Sequence, residues 1–149
     1  ELRQQPGHLI DIMATCVDVA GATYPAEFKG KAIQPMEGRS LRPAFANQPI
    51  QRDALFWEHE GNAAIRVGDW KLVRLGREGA WELYNLKTDR TEQHNLAAGQ
   101  PDRVEELSAK WEAWASRAQV KPYPPAAGEG KKGKKAKKAK RAKARCGPC

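Results

Sequence analysis

The side chains suited to nucleophilic or metal chemistry are few and widely separated in this sequence. Its three histidines are His8, His59 and His94, and none of them pairs with an Asp or Glu at the spacing of a metal site. Acid–base or nucleophilic catalysis needs two such groups within hydrogen-bond reach of each other. The pattern therefore predicts neither a catalytic residue nor a metal ligand that this chain uses on its own.

The cysteines form one known motif, at the end of the sequence. Cys146 and Cys149 enclose Gly147-Pro148, which is the spacing of a thioredoxin-type dithiol. A redox dithiol needs a following helix N-terminus to lower its thiol pKa, and the sequence stops at Cys149. We therefore expect a flexible, oxidisable end rather than a redox site. Three cysteines in all predict no disulfide framework.

Two further side chains are candidates for substrate binding. His59 stands where a predicted strand enters a tight turn, and polar groups at such places project from a rigid scaffold. The alternative is a surface turn in which Gly61-Asn62 simply reverses the chain. Arg66 is a charge between apolar neighbours on a predicted strand, which favours an ion pair with a partner outside this chain.

The elements that would position these side chains are four short strands and a helix. Apolar or aromatic runs cover residues 54–58, 63–67, 70–75 and 81–85, with turn residues between them, which predicts an antiparallel meander. Residues 101–118 then repeat apolar side chains at helical spacing, and Pro101 suits a helix N-terminus. The predicted fold class is α+β, with this helix packed on one face of a small four-stranded antiparallel sheet.

The first fifty residues predict one helix and an irregular connection. Residues 8–20 repeat apolar side chains at helical spacing, and Gly21 follows as a C-cap. Residues 22–50 contain four prolines and no lasting period. In the strands, bulky apolar residues occupy consecutive positions, so both faces of the sheet would carry them. A packing partner outside this chain is the simplest account.

The positive charge of the chain is concentrated at its end. The formal net charge is +8, yet residues 131–149 hold ten of the 26 Lys and Arg and none of the 18 Asp and Glu. We expect residues 120–149 to be a disordered, Lys- and Ala-rich tail that attracts polyanions, or one that only solubilises the protein. No apolar run approaches the roughly 18 residues of a membrane span, so none is predicted.

A series of short motifs resembles the C-terminal portion of arylsulfatase-type sulfatases. Residues 8–16 are similar to the helix that closes the large α/β domain of that family, with Ala14 where the family often has Pro. The resemblance covers roughly residues 5–118. Its other segments are VAGATYP (19–25), GRSL (38–41), LFWEHEGNAAIR (55–66), GDWKLV (68–73), WELYNL (81–86), Thr88-Asp89 and Asn95-Leu96.

The resemblance implies a fragment of an enzyme that hydrolyses sulfate esters when complete. Residues 1–50 would end the large catalytic α/β domain, with its helix at about 8–20, and residues 51–119 would form the C-terminal subdomain. The complete enzyme would use calcium and a formylglycine made within a Cys/Ser-x-Pro-x-Arg segment. Cys146-Gly147-Pro148 echoes that segment without its Arg. The fragment is therefore expected to bind no cofactor and to be inactive without its missing N-terminal domain.

The same resemblance gives His59 a role, because it would place this side chain at the rim of the sulfate pocket. For Arg66, recognition of the sulfate ester is the alternative to an ion pair with the missing domain. It also suggests a periplasmic or secreted complete enzyme. The alternative hypothesis is a non-enzymatic small α+β domain whose basic tail binds polyanions.

Overall fold

The computed structural model describes residues 1–120, so the predicted tail beyond residue 120, with Cys146 and Cys149, lies outside the described residues. Among the described residues, no helix is long and apolar enough to cross a membrane. A 3₁₀ turn at Ala97–Gly99 precedes the last helix. The elements in order are α1 (Asp11–Val19), β1 (Glu27–Phe28), β2 (Lys31–Ala32), α2 (Arg42–Phe45), β3 (Leu55–His59), β4 (Asn62–Val67), β5 (Trp70–Arg74), β6 (Trp81–Asn85) and α3 (Pro101–Arg117).

The predicted four-stranded meander is confirmed. Strands β3 to β6 lie in sequence order, and each pairs antiparallel with the next. The predicted turn at Gly61-Asn62 is wrong by one residue, because Glu60 and Gly61 hold the left-handed φ values of 53° and 91° that a type I′ hairpin requires. Asn62 instead begins β4, and its Oδ1 accepts a hydrogen bond from the Gly76 N–H at 2.8 Å.

Helix α3 covers one face of this sheet, as predicted. Its residues Leu107, Trp111 and Ala115 recur at i, i+4 and i+8 and are buried against the sheet. The fully buried Trp111 also donates its Nε1–H to the Trp57 carbonyl oxygen at 3.0 Å. The core is completed by the strand residues Ala63, Ile65, Leu72 and Leu83.

Helix α1 is shorter than the predicted span but ends as predicted. Gly21 has a φ of 61°, and its N–H bonds the Asp18 carbonyl while the Ala22 N–H bonds that of Val17. This pair of bonds is the Schellman motif, which glycine makes without steric cost. The connection after it is not wholly irregular, because residues 22–50 contain the two-stranded hairpin of β1 and β2 and the single turn of α2.

The side of α1 that faces the rest of the described chain is polar. Asp11, Thr15 and Asp18 lie on this side, and the Leu41 N–H donates to Thr15 Oγ1 at 2.9 Å while Ser40 donates its hydroxyl to Asp18 at 2.6 Å. Ala14 is buried, but most larger apolar side chains of this segment are exposed, with 78% exposure at Leu9, 55% at Ile12, 59% at Met13 and 63% at Val19.

The sheet face away from α3, called the open face below, is mixed rather than apolar. Its Leu55 and Tyr84 are buried, and most of its other residues are half-buried. Apart from Leu2 near the N-terminus and Leu75 just after β5, the exposed large apolar side chains lie on or near α1 and in residues 22–50 instead. By strand alternation, the open face carries Leu55, Trp57, His59, Asn62, Ala64, Arg66, Lys71, Val73, Glu82 and Tyr84.

Candidate functional site

Both predicted substrate-binding residues lie on the open face, but the structure does not bring them together. His59 is exposed at the end of β3, opposite Asn62, whereas Arg66 is half-buried opposite Leu55. Four positions of strand register separate the two, which corresponds to about 13 Å along the sheet. They therefore belong to two ends of one surface and not to one cluster.

The register of the strands arranges this surface in rows. A basic row runs across the sheet, because Arg66 pairs with Lys71 and Lys71 pairs with Tyr84. The neighbouring row joins Trp57, Ala64, Val73 and Glu82 and is apolar over its first three members. The basic row thus lies directly beside this second row, which is called the apolar row below.

The two cations of the basic row have different partners. Lys71 Nζ lies 2.5 Å from Glu92 Oε1, whereas Arg66 donates its Nε–H to the Gly68 carbonyl at 2.9 Å. Within residues 1–120, no ion pair joins Arg66 to a carboxylate. Like charges directly opposite on paired strands repel each other, so an anion at this place would be stabilised.

An open groove of about 820 Å³ follows the basic row. One wall is the N-terminal segment 3–6, and the other comes from residues 86–92 after β6. Its floor contains Trp57, Ala64 and Val73, and its charged lining consists of the side chains Arg3, Arg66, Asp69, Lys71, Arg90 and Glu92.

His59 lines a second, smaller depression of about 390 Å³ on the same face. Trp57, Ala64, Val73 and Glu92 line both the groove and this depression, so the two are continuous along the sheet. The other histidines are placed elsewhere: the His8 ring lies 5.2 Å from the Trp57 ring, and His94 is exposed beside Asp89.

Tyr84 ends the basic row as a group that stays protonated. Its hydroxyl donates to Glu82 Oε2 at 2.5 Å, and this bond, with burial and the Glu82 charge, raises the pKa of Tyr84 to about 12. At neutral pH the phenol can donate a hydrogen bond but cannot serve as a base or nucleophile. Tyr84 therefore serves as a hydrogen-bond donor to Glu82 and not as a base.

Asp11 links α1 to the segment around Arg39 and to Arg52, which lies just before β3. It is fully buried and accepts hydrogen bonds from the His8 N–H at 2.8 Å, the Arg39 N–H at 2.9 Å and Arg52 Nη2 at 2.5 Å. Burial acts to raise the pKa of Asp11, but the Arg52 bond and the two backbone bonds outweigh it and hold the pKa below 3.8. No sequence signal pairs Asp11 with Arg52, because 41 residues separate them.

The described residues do not fit a calcium site or a formylglycine precursor. Residues 1–120 contain no group of three or more His, Cys, Asp or Glu side chains that could hold a metal ion. Cys16 is exposed on α1 and is followed by Val17-Asp18 rather than by an x-Pro-x-Arg sequence. No catalytic step can be derived from these residues.

The sequence of the chain is similar to those of known sulfatases. The model of the family described as N-sulphoglucosamine sulphohydrolase, C-terminal, matches residues 4–117. An uncharacterized sulfatase of Schizosaccharomyces pombe is 32% identical over 119 residues, which cover 75% of this chain and 22% of that protein. Arylsulfatase K of Xenopus laevis is 25% identical over 111 residues, or 68% of this chain and 21% of that protein. The chain thus spans about a fifth of the length of the curated relatives it matches.

Solved structures share the fold of the described chain. Ps i-CgsB superposes with a TM-score of 0.60 at 21% identity, covering 74% of this chain and 24% of that one. BT4656, solved in complex with its substrate D-glucosamine-2-N,6-O-disulfate, gives a TM-score of 0.56 at 23% identity over 75% and 24% of the two chains. The described α+β fold therefore also occurs in these solved structures.

Proposed function

Because the chain belongs to the sulfatase family described as N-sulphoglucosamine sulphohydrolase, C-terminal, we propose that it is the C-terminal part of an enzyme that hydrolyses sulfate esters. The division into the end of a catalytic domain (1–50), a C-terminal subdomain (51–119) and a tail (120–149) is part of this proposal. So is the missing N-terminal catalytic domain, which would supply the formylglycine and the calcium ligands from residues outside this chain.

The observation that carries the proposal is the orientation of α1. Its polar side already bonds to residues 39–41 and Arg52, whereas Leu9, Ile12 and Met13 have no apolar cover. Burying a Leu, Ile or Met side chain stabilises a fold by about 1.5–3 kcal/mol each. An apolar side that is this exposed fits a helix that completes its packing against a larger domain.

The role of this chain in the complete enzyme would be to shape the substrate site. We assign sulfate-ester recognition to His59 and Arg66, which lie on one accessible face. A guanidinium such as that of Arg66 binds a sulfate through two parallel, charge-assisted hydrogen bonds. The nucleophile and the stabilisation of sulfate charge during hydrolysis would come from the catalytic domain, and a periplasmic or secreted location is proposed with it.

Activity of the complete protein tests this function. The chain joined to its catalytic domain should release sulfate from 4-nitrophenyl sulfate or from D-glucosamine-2-N,6-O-disulfate, the substrate solved with BT4656. The 149-residue chain alone should release none above a heat-treated control. Within the complete protein, H59A and R66Q should raise KM more than they lower kcat, because both residues are assigned to binding.

One outcome would favour the non-enzymatic alternative. If the complete protein releases no sulfate from either compound while the chain binds heparin, the chain is a polyanion-binding module instead. Sulfate release by the 149-residue chain alone would contradict the assignment of the nucleophile to another domain.

A further inference from the structure

We propose that the open face carries a binding site for an anionic saccharide, with the sugar ring on Trp57, Ala64 and Val73 and its anionic group held by Arg66, Lys71 and Arg90. The site belongs to the folded body and not to the Lys-rich end of the sequence. It depends on the proposed function only for the ligand class, since binding requires no catalytic domain.

The apolar row provides the surface for the ring. Trp57 is half-buried and lies beside Ala64 and Val73 across two strand pairings. Because the Ala64 side chain is small, the groove is deeper at Ala64 than at its larger neighbours Trp57 and Val73. An aromatic side chain with a few polar groups around it is the usual composition of a site for a small ring-shaped ligand.

The basic row lies within reach of a substituent on such a ring. Adjacent rows on one sheet face are two residues apart along the strand, or about 6.7 Å. Arg66 and Lys71 face each other there. Lys71 also forms an ion pair with Glu92, which lies in the same wall of the groove as Arg90. Charge-assisted hydrogen bonds from two or three cations are the strongest contacts available to a sulfate or carboxylate group.

The charge balance of the groove favours an anion. Its lining contains four cations (Arg3, Arg66, Lys71 and Arg90) and two carboxylates (Asp69 and Glu92). Arg3 is paired with Glu1 and Lys71 with Glu92, so the ligand would depend mainly on the other two cations. Neither Arg66 nor Arg90 forms an ion pair with a carboxylate of residues 1–120. An incoming anion therefore gains two guanidinium partners without displacing an internal one.

Binding of a short ligand to the intact 149-residue chain tests the site. The ligands are a trisulfated heparin disaccharide, its unsulfated form and inorganic sulfate, each titrated by calorimetry at low salt. R66Q and R90Q should each weaken disaccharide binding roughly tenfold, the value of one charge-assisted hydrogen bond. A64L should remove binding without any change of charge, because the larger side chain fills the groove floor.

K110Q is the matched control, because it removes one positive charge from α3 on the other side of the sheet. The disaccharide is too short to gain from multivalent contact with the Lys-rich end, so any attraction there is equal in all variants. Circular dichroism establishes that each variant is folded, and R66K should recover part of the lost affinity.

Each outcome decides the proposal. Weaker binding by R66Q, R90Q and A64L but not by K110Q supports it, and equal binding of the unsulfated, uronate-containing disaccharide identifies a carboxylate as the anion. No binding by the wild-type chain, or equal affinity in all variants, overturns it. Failure of the complete protein to release sulfate would contradict the proposed function and leave these affinities unchanged.

Discussion

Helices α1 and α3 have the same apolar period but pack in opposite ways. Helix α3 buries Leu107, Trp111 and Ala115 against its own sheet and exposes most of its charged side chains. Helix α1 turns Asp11 and Thr15 inward and leaves Ile12 and Met13 exposed. A helical period therefore identifies an apolar side but does not tell whether its cover lies in the same chain.

The difference also separates two kinds of stabilisation. The α3 contact rests on apolar area removed from water, which stabilises the fold in proportion to that area. The α1 contact rests on hydrogen bonds and on the buried Asp11–Arg52 ion pair, whose members are costly to leave unpaired. Substitutions in the two helices should therefore change the free energy of unfolding by different amounts and with a different dependence on pH.

The largest expected effect is that of W111A. Trp111 is fully buried, contacts Trp81 at 5.9 Å between ring centroids and bonds the Trp57 carbonyl, so its removal leaves a cavity and an unpaired acceptor. We expect a loss of about 3–5 kcal/mol in the free energy of unfolding, measured in urea. A loss below about 1 kcal/mol would contradict the assignment of the core to α3.

Replacement of Asp11 should have the next largest effect. D11A leaves the Arg52 guanidinium buried beside α1 without its carboxylate, which should cost about 3 kcal/mol. Amide hydrogen exchange should show the loss mainly in α1 and in residues 38–42, because the Asp11 bonds join these segments. The double variant D11A/R52M should be less destabilised than D11A, since no unpaired charge remains.

The Asp11 interactions also predict a pH dependence. Its folded-state pKa lies below the ordinary value of 3.8, so its contribution to stability is present well above that pH and is lost as the pH falls through the lowered pKa. Stability of the wild-type chain should therefore fall on acidification in a step that D11N lacks. Equal acid profiles for the two proteins would mean that the ion pair does not contribute.

Substitutions just after the C-terminal ends of α1 and α3 should change the stability of the chain in opposite directions. Both end in a Schellman motif, but the left-handed residue is Gly21 after α1 and Gln119 after α3, with φ values of 61° and 58°. G21A should destabilise the chain by about 1 kcal/mol, whereas Q119G should stabilise it by roughly 0.5 kcal/mol by removing side-chain strain. Thermal melts of both variants measure the two signs.

The sequence predicts local structure in this protein better than it predicts the site. The four strands and α3 were predictable because turn glycines and the 3.6-residue period are local signals. The groove is not, since it depends on Arg66 and Lys71 meeting across two strands and on Glu92 folding back 21 residues later to pair with Lys71. The sequence shows only that Lys71 follows the turn residues Gly68-Asp69, and the strand register is needed to see that it faces Arg66.

The smallest expected effect is that of the double variant I12S/M13S. Both side chains are more than half exposed and contact little within residues 1–120, so the free energy of unfolding should change by no more than about 0.5 kcal/mol. Self-association of the chain should decrease, because an exposed apolar patch promotes it. In the complete protein, the proposed packing of α1 against the catalytic domain predicts that the same substitutions are strongly destabilising, because they would remove two side chains from that interface. Sedimentation and urea unfolding of both forms measure the contrast, and a large loss in the chain alone would show that α1 packs within it after all.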